Sequence, residues 1–368
     1  MFERRLYFHI DWLLLGAVLL LSGIGVAMIY SATYVTTPSG GHAATQVLTQ
    51  SYALGLGLIA LLVCLAIDYR MLGEHSLFIY GSLLVLLIFV LVKGQTQMGG
   101  QRWIPIGPFH LQPSEFARIG VALLLAMYFG ENRRGAKNTS DLILGGLFTG
   151  IPLLLIAKQP DLGTAVTLLP VFLGVAFLAG LRLRLLGVIA LIGLLAAYPM
   201  WRFALKDYQR SRIAMFIDPE QDPKGAGYQT IQARVTVGSG GLTGKGFLHG
   251  TQGQLKYLPV AHNDFIFSVL AEEQGFIGVL GALGLYLFVI LRSLEAARLA
   301  KDRLGAYLVG GIISGFAFQV IYNVTMSAGL APVKGITLPL MSYGGSSLIA
   351  SLAGFGLILN VRMRRFTN

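Results

Sequence analysis

Long apolar segments alternate with short polar ones along the whole chain. Ten apolar segments can be distinguished, and several approach the roughly 20 residues that a helix needs to cross about 30 Å of hydrocarbon. They cover residues 10–32, 48–67, 76–93, 114–131, 141–158, 164–180, 185–202, 265–291, 304–328 and 346–361. These segments lack the alternation of barrel strands, and only helices or closed barrels satisfy their backbone in lipid. The pattern predicts an all-α polytopic membrane protein with about ten transmembrane helices.

The composition supports a membrane protein. Of 368 residues, 55% are hydrophobic and 12% are charged, against about 25% charged in an ordinary globular domain. A soluble enzyme, a disordered protein and a disulfide scaffold are therefore excluded. The single cysteine, Cys64, lies inside an apolar segment, which excludes an intrachain disulfide and a cysteine-based metal site. The first segment follows Arg4 and Arg5, but its apolar core from Trp12 to Ile29 is too long for a cleaved signal, so it is interpreted as a retained helix.

The net charge of +11 could suggest nucleic acid, but the basic residues form no contiguous face. Outside one long loop, they concentrate in the segments that lie on the same side of the membrane as the N-terminus. Examples are Arg4, Arg70, Arg292 and Arg364. The positive-inside rule then places both termini in the cytoplasm, and no nucleic-acid partner is expected. We expect one membrane domain over 1–368. Its large extracytoplasmic loop, 203–263 between spans 7 and 8, is expected to carry short amphipathic helices.

Polar residues collect where the predicted spans meet the outer surface. Four clusters lie at such crossings, whereas the cytoplasmic segments contain mainly basic anchors. The clusters are Gly100–Arg118, Gln159–Thr164, Leu258–Phe265 and Gly335–Ser347. A functional site that faces the outside is the direct inference.

Asp264 lies where the long loop becomes the eighth span. Asp264, Ser268 and Glu272 follow i, i+4, i+8 spacing, which predicts one helical face. One interpretation of Asp264 is a helix cap, since a carboxylate is favourable at a helix N-terminus. The other is a general base, because partial burial beside the membrane raises the pKa of a carboxyl group that reaches the outer surface.

Three further features have both a structural and a functional interpretation. Glu115 and Arg118 are three residues apart on one helical face, so they fix helix packing or form part of a site. Asp161 after Pro160 is a turn or N-cap residue, or a site carboxylate. The glycine-rich segment 238–246 fails the Walker and dinucleotide patterns, yet a glycine nest with Lys245 could hold a diphosphate.

These motifs together resemble the SEDS family (shape, elongation, division and sporulation) over nearly the whole chain, and its elongation branch more than its division branch. The resemblance rests on motifs in the family's order: Arg102-Trp103, Gln112–Glu115, Gln159–Thr164, Gly225–Tyr228, Gly238–Gly246, Gly250–Leu255, His262–Phe267, Ala271–Gly275 and Ser342–Ser347. Asn263 stands where the family usually has Thr, and Arg118 where Lys is common. Both departures keep the reacting groups but could change local positioning.

The resemblance implies a ten-span peptidoglycan glycosyltransferase of the bacterial inner membrane. It would polymerise lipid II into glycan strands, with a class B penicillin-binding transpeptidase bound through transmembrane contacts and with other elongation-complex proteins. Asp264 is then the candidate base, and Arg102, Arg118 and Lys245 are candidate diphosphate partners. Glu115 and Asp161 would orient them or bind a divalent cation such as Mg²⁺ or Mn²⁺. The other candidate substrate-binding residues are His262, Glu272 and Ser346.

Two other functions fit the same topology. A lipid II flippase would carry polar sites within the membrane, and Glu272 and Glu273 lie about two turns inside the eighth span. A non-catalytic scaffold would activate the transpeptidase without a reaction of its own. The clustering of the other ionisable groups at the outer surface favours the glycosyltransferase over the flippase. The scaffold predicts that replacing Asp264 leaves partner binding intact and abolishes no reaction.

Overall fold

The computed structural model describes residues 9–34, 41–97, 100–106, 109–131, 139–181, 227–254, 257–258 and 261–366, with isolated positions between 187 and 222. The described part is mainly helical. Its helices are α1 (Trp12–Tyr34), α2 (Gly41–Ala66), α3 (Tyr69–Glu74), α4 (Ser76–Lys93), α5 (Pro113–Glu131), α6 (Thr139–Lys158), α7 (Leu162–Leu178), α8 (Tyr228–Ser239), α9 (Thr251–Gln254), α10 (Ile266–Arg298), α11 (Arg303–Ser327) and α12 (Gly345–Met363).

Most of the predicted spans appear as helices. Within the described residues, seven helices are long and apolar enough to cross a membrane: α1, α2, α4, α6, α10, α11 and α12. Helix α5 occupies the fourth predicted span and carries Glu115 and Arg118, while α7 is a shorter apolar helix of 17 residues. The seventh predicted span, most of the loop before Gly227, and Arg4 and Arg5 lie outside the described residues. The chain is therefore a multi-pass membrane protein, and ten spans stay a prediction.

From α1 to α7, and again from α10 to α12, successive long helices run in opposite directions, which creates a bundle with two distinct ends. At one end, the Asn360 amide near the end of α12 contacts carbonyls at the end of α2. At the other, Ser346 at the start of α12 contacts Gln112 before α5. We call the first the terminal end, because α1 begins and α12 ends there. The second is the sheet end, where the strands and the segments 159–161, 240–250, 261–265 and 328–344 lie.

Helix α12 is the central element, with 89% of its most apolar window buried. It packs mainly on α2, whereas α11 packs on α5, α7 and α10. Glycines in α11 permit the close approach to α7: a Cβ atom at Gly311 or Gly315 would lie under 3 Å from Val175 or Val171. By contrast, only 22% of the most apolar window of α2, and of that of α10, is buried. Their outward faces expose leucine, isoleucine and phenylalanine side chains, which suits contact with lipid.

A small antiparallel sheet corrects the prediction of an all-α chain. Strand β1 (Gln95–Gln97) pairs with β2 (Gly100–Ile106), which pairs with β3 (Phe109–Leu111). The register opposes Gln95 to Trp103 and Ile104 to Leu111. Hydropathy detects spans but gives no signal for three short strands in a loop with glycine, proline and glutamine. The sheet matters for function because β2 carries Arg102.

Helix α10 is interrupted one turn after its paired glutamates. Gly275 has φ 64° and ψ −166°, a backbone conformation that suits glycine. The freed backbone groups bind the glycine-rich segment: the N–H groups of Phe276 and Ile277 donate to the carbonyls of Gly241 and Leu242. In return, the N–H groups of Lys245 and Gly246 donate to the carbonyls of Glu272 and Glu273. The segment thus completes a broken helix within the protein, as buried irregular backbone in a membrane requires.

Candidate active site

Asp161 joins two of the four polar clusters at the sheet end. It is the N-cap of α7, because its Oδ1 accepts the backbone N–H of Thr164 at 3.2 Å. Its Oδ2 accepts the Thr164 hydroxyl at 3.0 Å and the Gln112 side-chain amide at 2.9 Å. The Arg102 Nη1 atom lies 3.8 Å from Oδ1. The N-cap interpretation is therefore confirmed, and the same carboxylate also contacts Arg102 and Gln112, which belong to the cluster before α5.

The sheet holds Arg102 over the start of α7. Its Nε donates to the carbonyl of Gln159 at 3.1 Å, and its Nη2 donates to the carbonyl of Pro160. The side chain is 27% exposed, so the guanidinium is oriented by protein carbonyls but still reaches the surface. An oriented, accessible guanidinium suits bidentate binding of a phosphate.

Glu115 and Arg118 form the predicted pair on one face of α5. Their Oε2 and Nη2 atoms are 2.6 Å apart, and both side chains are at least nine-tenths buried. Arg118 also donates to the side-chain carbonyl of Gln319 on α11, and Ser347 hydrogen-bonds Glu115. Beside the pair, a cavity of about 30 Å³ reaches Ser351, enough space for one or two water molecules. The pair therefore links α5 to α11 and α12.

The serines at the start of α12 close the network. Ser346 Oγ accepts the backbone N–H of Gln112 at 2.9 Å and lies 3.1 Å from the carbonyl of His110, to which it donates. Ser347 Oγ is 3.2 Å from the hydroxyl of Thr337. The cluster Gly335–Ser347 is thus joined to the cluster Gly100–Arg118. Ser346 itself is buried and holds backbone groups in this structure.

Asp264 lies in the turn 261–265 before α10 and is half-buried. The N-cap of α10 is Phe265, which makes no side-chain cap bond. Ser268 and Glu272 are both buried within α10, while Asp264 stands outside the helix. Its Oδ2 lies 3.6 Å from where a Cβ atom at Gly335 would be. The carboxylate therefore faces the loop between α11 and α12.

That loop connects Asp264 with the Asp161 network. On one side Gly335 faces Asp264, and on the other the neighbouring residues pack on the first turn of α7. A Cβ atom at Gly163 would lie 2.7 Å from the carbonyl oxygen of Lys334, so only glycine allows this approach. All four polar clusters predicted from the sequence thus meet at the sheet end.

His262 packs between the turn and the start of α12. Its ring meets Tyr343 edge to face at 5.5 Å, and its carbonyl accepts the Tyr343 N–H at 3.0 Å. Burial lowers the pKa of the His262 imidazole, which favours the neutral ring. The imidazole is two residues from Asp264 and belongs to the same turn.

Lys245 and Glu272 form a separate pair deeper along α10. Glu272 is fully buried, and its Oε1 lies 2.6 Å from Lys245 Nζ. The same oxygen accepts the N–H of Thr251 at 2.9 Å and that of Gln252 at 3.1 Å. In the glycine-rich segment that was predicted to bind a diphosphate, the N–H groups of Lys245 and Gly246 donate to the carbonyls of Glu272 and Glu273. In this structure the pair fastens the glycine-rich segment to the broken helix.

Two amides of α11 were not predicted as site residues. Gln319 contacts Arg118, and the Asn323 Nδ2 donates to the carbonyls of Asp264 and Ile336 at 2.9 and 2.8 Å. A single amide in an apolar span changes hydropathy little. The signal was their spacing, since Gln319, Asn323 and Ser327 repeat at i, i+4, i+8 on one face.

No group of three or more His, Cys, Asp or Glu side chains within the described ranges is placed to hold a metal ion. Asp161 and Glu115 contact amide, hydroxyl and arginine groups there. A divalent cation at these carboxylates therefore stays a prediction, and any such cation would need ligands from its substrate or from water.

Comparison with known proteins gives a consistent result. Residues 11–366 match the family model for FtsW, RodA and SpoVE, described as cell cycle proteins. The chain is 40% identical to the peptidoglycan glycosyltransferase MrdB of Escherichia coli K12, over 92% of this chain and 91% of that protein. A chain from a structure described as "Structural coordination of polymerization and crosslinking by a peptidoglycan synthase complex" matches with TM-score 0.83 and 35% identity, covering 98% and 99% of the two chains. The rod shape determining protein RodA of Thermus thermophilus matches with TM-score 0.72 and 33% identity, covering 98% of each chain.

Proposed function

The chain belongs to the FtsW/RodA/SpoVE family, the SEDS proteins, and we propose that it is a peptidoglycan glycosyltransferase that polymerises lipid II during cell elongation. The observation that carries this proposal is the meeting of all four polar clusters around Asp264 and Arg102 at the sheet end. Relatives at 32–40% identity over most of their length are named peptidoglycan glycosyltransferases. We place the sheet end at the outer surface of the inner membrane, since the basic segments lie mainly at the opposite end.

The reaction joins two lipid II molecules. The 4-hydroxyl of the acceptor sugar attacks the anomeric carbon of the donor, and the bond from that carbon to the undecaprenyl diphosphate oxygen breaks. Asp264 takes the proton of the attacking hydroxyl, a role that suits a half-exposed carboxylate at the membrane rim. The diphosphate is a good leaving group, so stabilisation of its charge matters more than a general acid.

Arg102 is the cation best placed to meet that charge. Its guanidinium is oriented by two carbonyls yet 27% exposed, whereas the Arg118 guanidinium is buried on Glu115 and Gln319. We assign Arg102 to the diphosphate, with Asp161 orienting it. Arg118, Glu115 and Ser346 hold the helices that frame the site, and His262 shapes the acceptor side. Lys245 is occupied by Glu272 and would reach a diphosphate only after this contact opens.

A class B penicillin-binding transpeptidase is the proposed partner. A structure of a peptidoglycan synthase complex contains a chain with the same fold. Contact with a partner helix along α10 is supported by its glycines, since a Cβ atom at Gly281 or Gly284 would meet open space. Phe276, Ile277 and Leu280 are exposed on the same helix. Small residues beside apolar ones suit packing of a partner's transmembrane helix.

One observation keeps a flippase as the second candidate. Buried Glu272 and Glu273 lie next to the interruption of α10, and transporters place polar sites at broken helices. Here, however, the glycine-rich segment fills the break, and Lys245 pairs with Glu272. These contacts favour a structural use of the break over a transport route.

In-gel polymerisation of purified lipid II tests the proposal. Wild type and Asp264→Asn would be assayed side by side, with and without the transpeptidase and with Mg²⁺ or Mn²⁺. We expect glycan strands from wild type and none from folded Asp264→Asn. Near-normal strands from the variant would refute the base assignment. Absence of strands from wild type under every condition would refute the enzyme assignment, and lipid II translocation in liposomes would then separate flippase from scaffold.

A further inference from the structure

We propose that Asn323, in the membrane-spanning helix α11, is a positioning residue for Asp264, an inference that rests on the proposed function. Asn323 is fully buried. Its amide nitrogen donates to the carbonyl of Asp264 at 2.9 Å and to the carbonyl of Ile336 at 2.8 Å. One side chain thus ties the backbone of the proposed base to the loop between α11 and α12.

Both tied segments border the reacting carboxylate. Asp264 stands two residues before the first residue of α10, so the helix itself does not fix its backbone. Ile336 follows Gly335, the residue that faces Asp264 Oδ2. Asn323 therefore sets the distance between the segment that carries the carboxylate and the segment that the carboxylate faces.

The hydrogen-bonding chemistry explains why an amide occupies this position. An amide NH₂ has two donors, and here one meets the buried carbonyl of Ile336 and the other the partly buried carbonyl of Asp264. Leaving such a carbonyl unpaired costs about 1–3 kcal/mol. The amide oxygen, in contrast, makes no hydrogen bond within the described residues. The two donors, not the acceptor, thus account for the orientation of Asn323.

Asn360 provides a matched comparison at the terminal end. It is also fully buried, and its Nδ2 faces the carbonyls of Cys64, Leu65 and Ile67 at 3.0, 2.7 and 2.6 Å. The same residue type therefore makes the same kind of contact far from Asp264. Loss of Asn360 removes a structural clamp, whereas loss of Asn323 also frees the proposed base.

The test compares Asn323→Leu with Asn360→Leu in the full chain, assayed with its transpeptidase. Thermal melting gives the stability of each variant, and initial rates over a series of lipid II concentrations give kcat and KM per folded protein. A small misplacement of a reacting group costs about 100-fold in rate. We expect Asn323→Leu to lower kcat by about 10- to 100-fold with little change in KM. Asn360→Leu should lower the melting temperature and leave kcat close to wild type.

A wild-type kcat in folded Asn323→Leu, or an equal loss of kcat in Asn360→Leu, would overturn the inference. If Asn323→Leu does not fold, Asn323→Asp serves instead, since it keeps the shape and removes the NH₂ donors; the same loss of kcat is expected and a wild-type kcat refutes it. Asp264→Asn is assayed in parallel. An active Asp264→Asn refutes the proposed base, whereas an inactive one beside a normal Asn323 variant refutes only the role of Asn323.

Discussion

The two ends of the bundle use the same polar devices for different purposes. Each has an aspartate N-cap: Asp161 begins α7 at the sheet end, and Asp302 begins α11 at the terminal end. Each also has a buried asparagine that binds backbone carbonyls. At the terminal end, Asp11 pairs with Arg292 and Arg362, which ties α1 to α10 and α12. These contacts join helix ends, and their role is stability.

The sheet end differs because its network surrounds side chains that remain accessible. Arg102 is partly exposed, and Asp264 is half-buried above Gly335. Buried charge alone therefore does not identify the site, since both ends contain it. What distinguishes the sheet end is the proposed base, Asp264, and the proposed diphosphate-binding cation, Arg102, beside loops from four parts of the chain.

The largest expected effect comes from breaking the buried Glu272–Lys245 pair. Loss of one partner of a buried pair costs about 3–5 kcal/mol, and Glu272 is fully buried while Lys245 is partly exposed. We expect Glu272→Gln to lower the free energy of unfolding by about 3 kcal/mol. Amide exchange at Thr251 and Gln252, which donate to Glu272, should become faster.

Glu295→Gln is the control at the terminal end. Glu295 also pairs with arginines, but its side chain is 43% exposed, so its loss should cost no more than about 1 kcal/mol. Equal destabilisation by both variants, or unchanged exchange at Thr251 in Glu272→Gln, would show that the pair does not fasten the glycine-rich segment.

The same substitution at the two aspartate N-caps tests the difference between the two ends. Asparagine caps a helix about as well as aspartate, so Asp161→Asn should change the helix little. It removes the charge beside Arg102 and an acceptor for Gln112. We expect lipid II polymerisation to fall by about 10-fold or more, since positioning losses have this size. Asp302→Asn should instead weaken contacts with Tyr69 and Arg70 and lower the melting temperature. Polymerisation rates per folded protein that fall equally in both variants would contradict the distinction between the ends.

The smallest expected effect is a pH dependence at His262. Burial lowers the pKa of this imidazole in the folded chain, so the unfolded chain binds the proton first as pH falls. Stability from this group is present above about pH 6.5 and is lost below it. When the pH is lowered from about 7.5 to 5.5, the melting temperature of wild type should decrease more than that of His262→Gln. An identical decrease in both proteins would show that His262 contributes nothing to acid sensitivity.

Much of the fold could be predicted from the sequence, because spans depend on local hydropathy. The pairing of Glu115 with Arg118 is also local and was confirmed, as was the N-cap at Asp161. The β-sheet could not be predicted, since its strands are three to seven residues long and carry no clear alternation. The contact of Lys245 with Glu272 depends on a helix interruption that only the fold reveals.

The most direct test of the central claim compares two aspartates at opposite ends. Initial rates of lipid II polymerisation would be measured for Asp264→Asn and Asp302→Asn in the full chain with its transpeptidase, per folded protein. We expect a loss of at least about 100-fold for Asp264→Asn, the scale of a general base, and a nearly wild-type rate for Asp302→Asn. Similar rates for the two variants would contradict it.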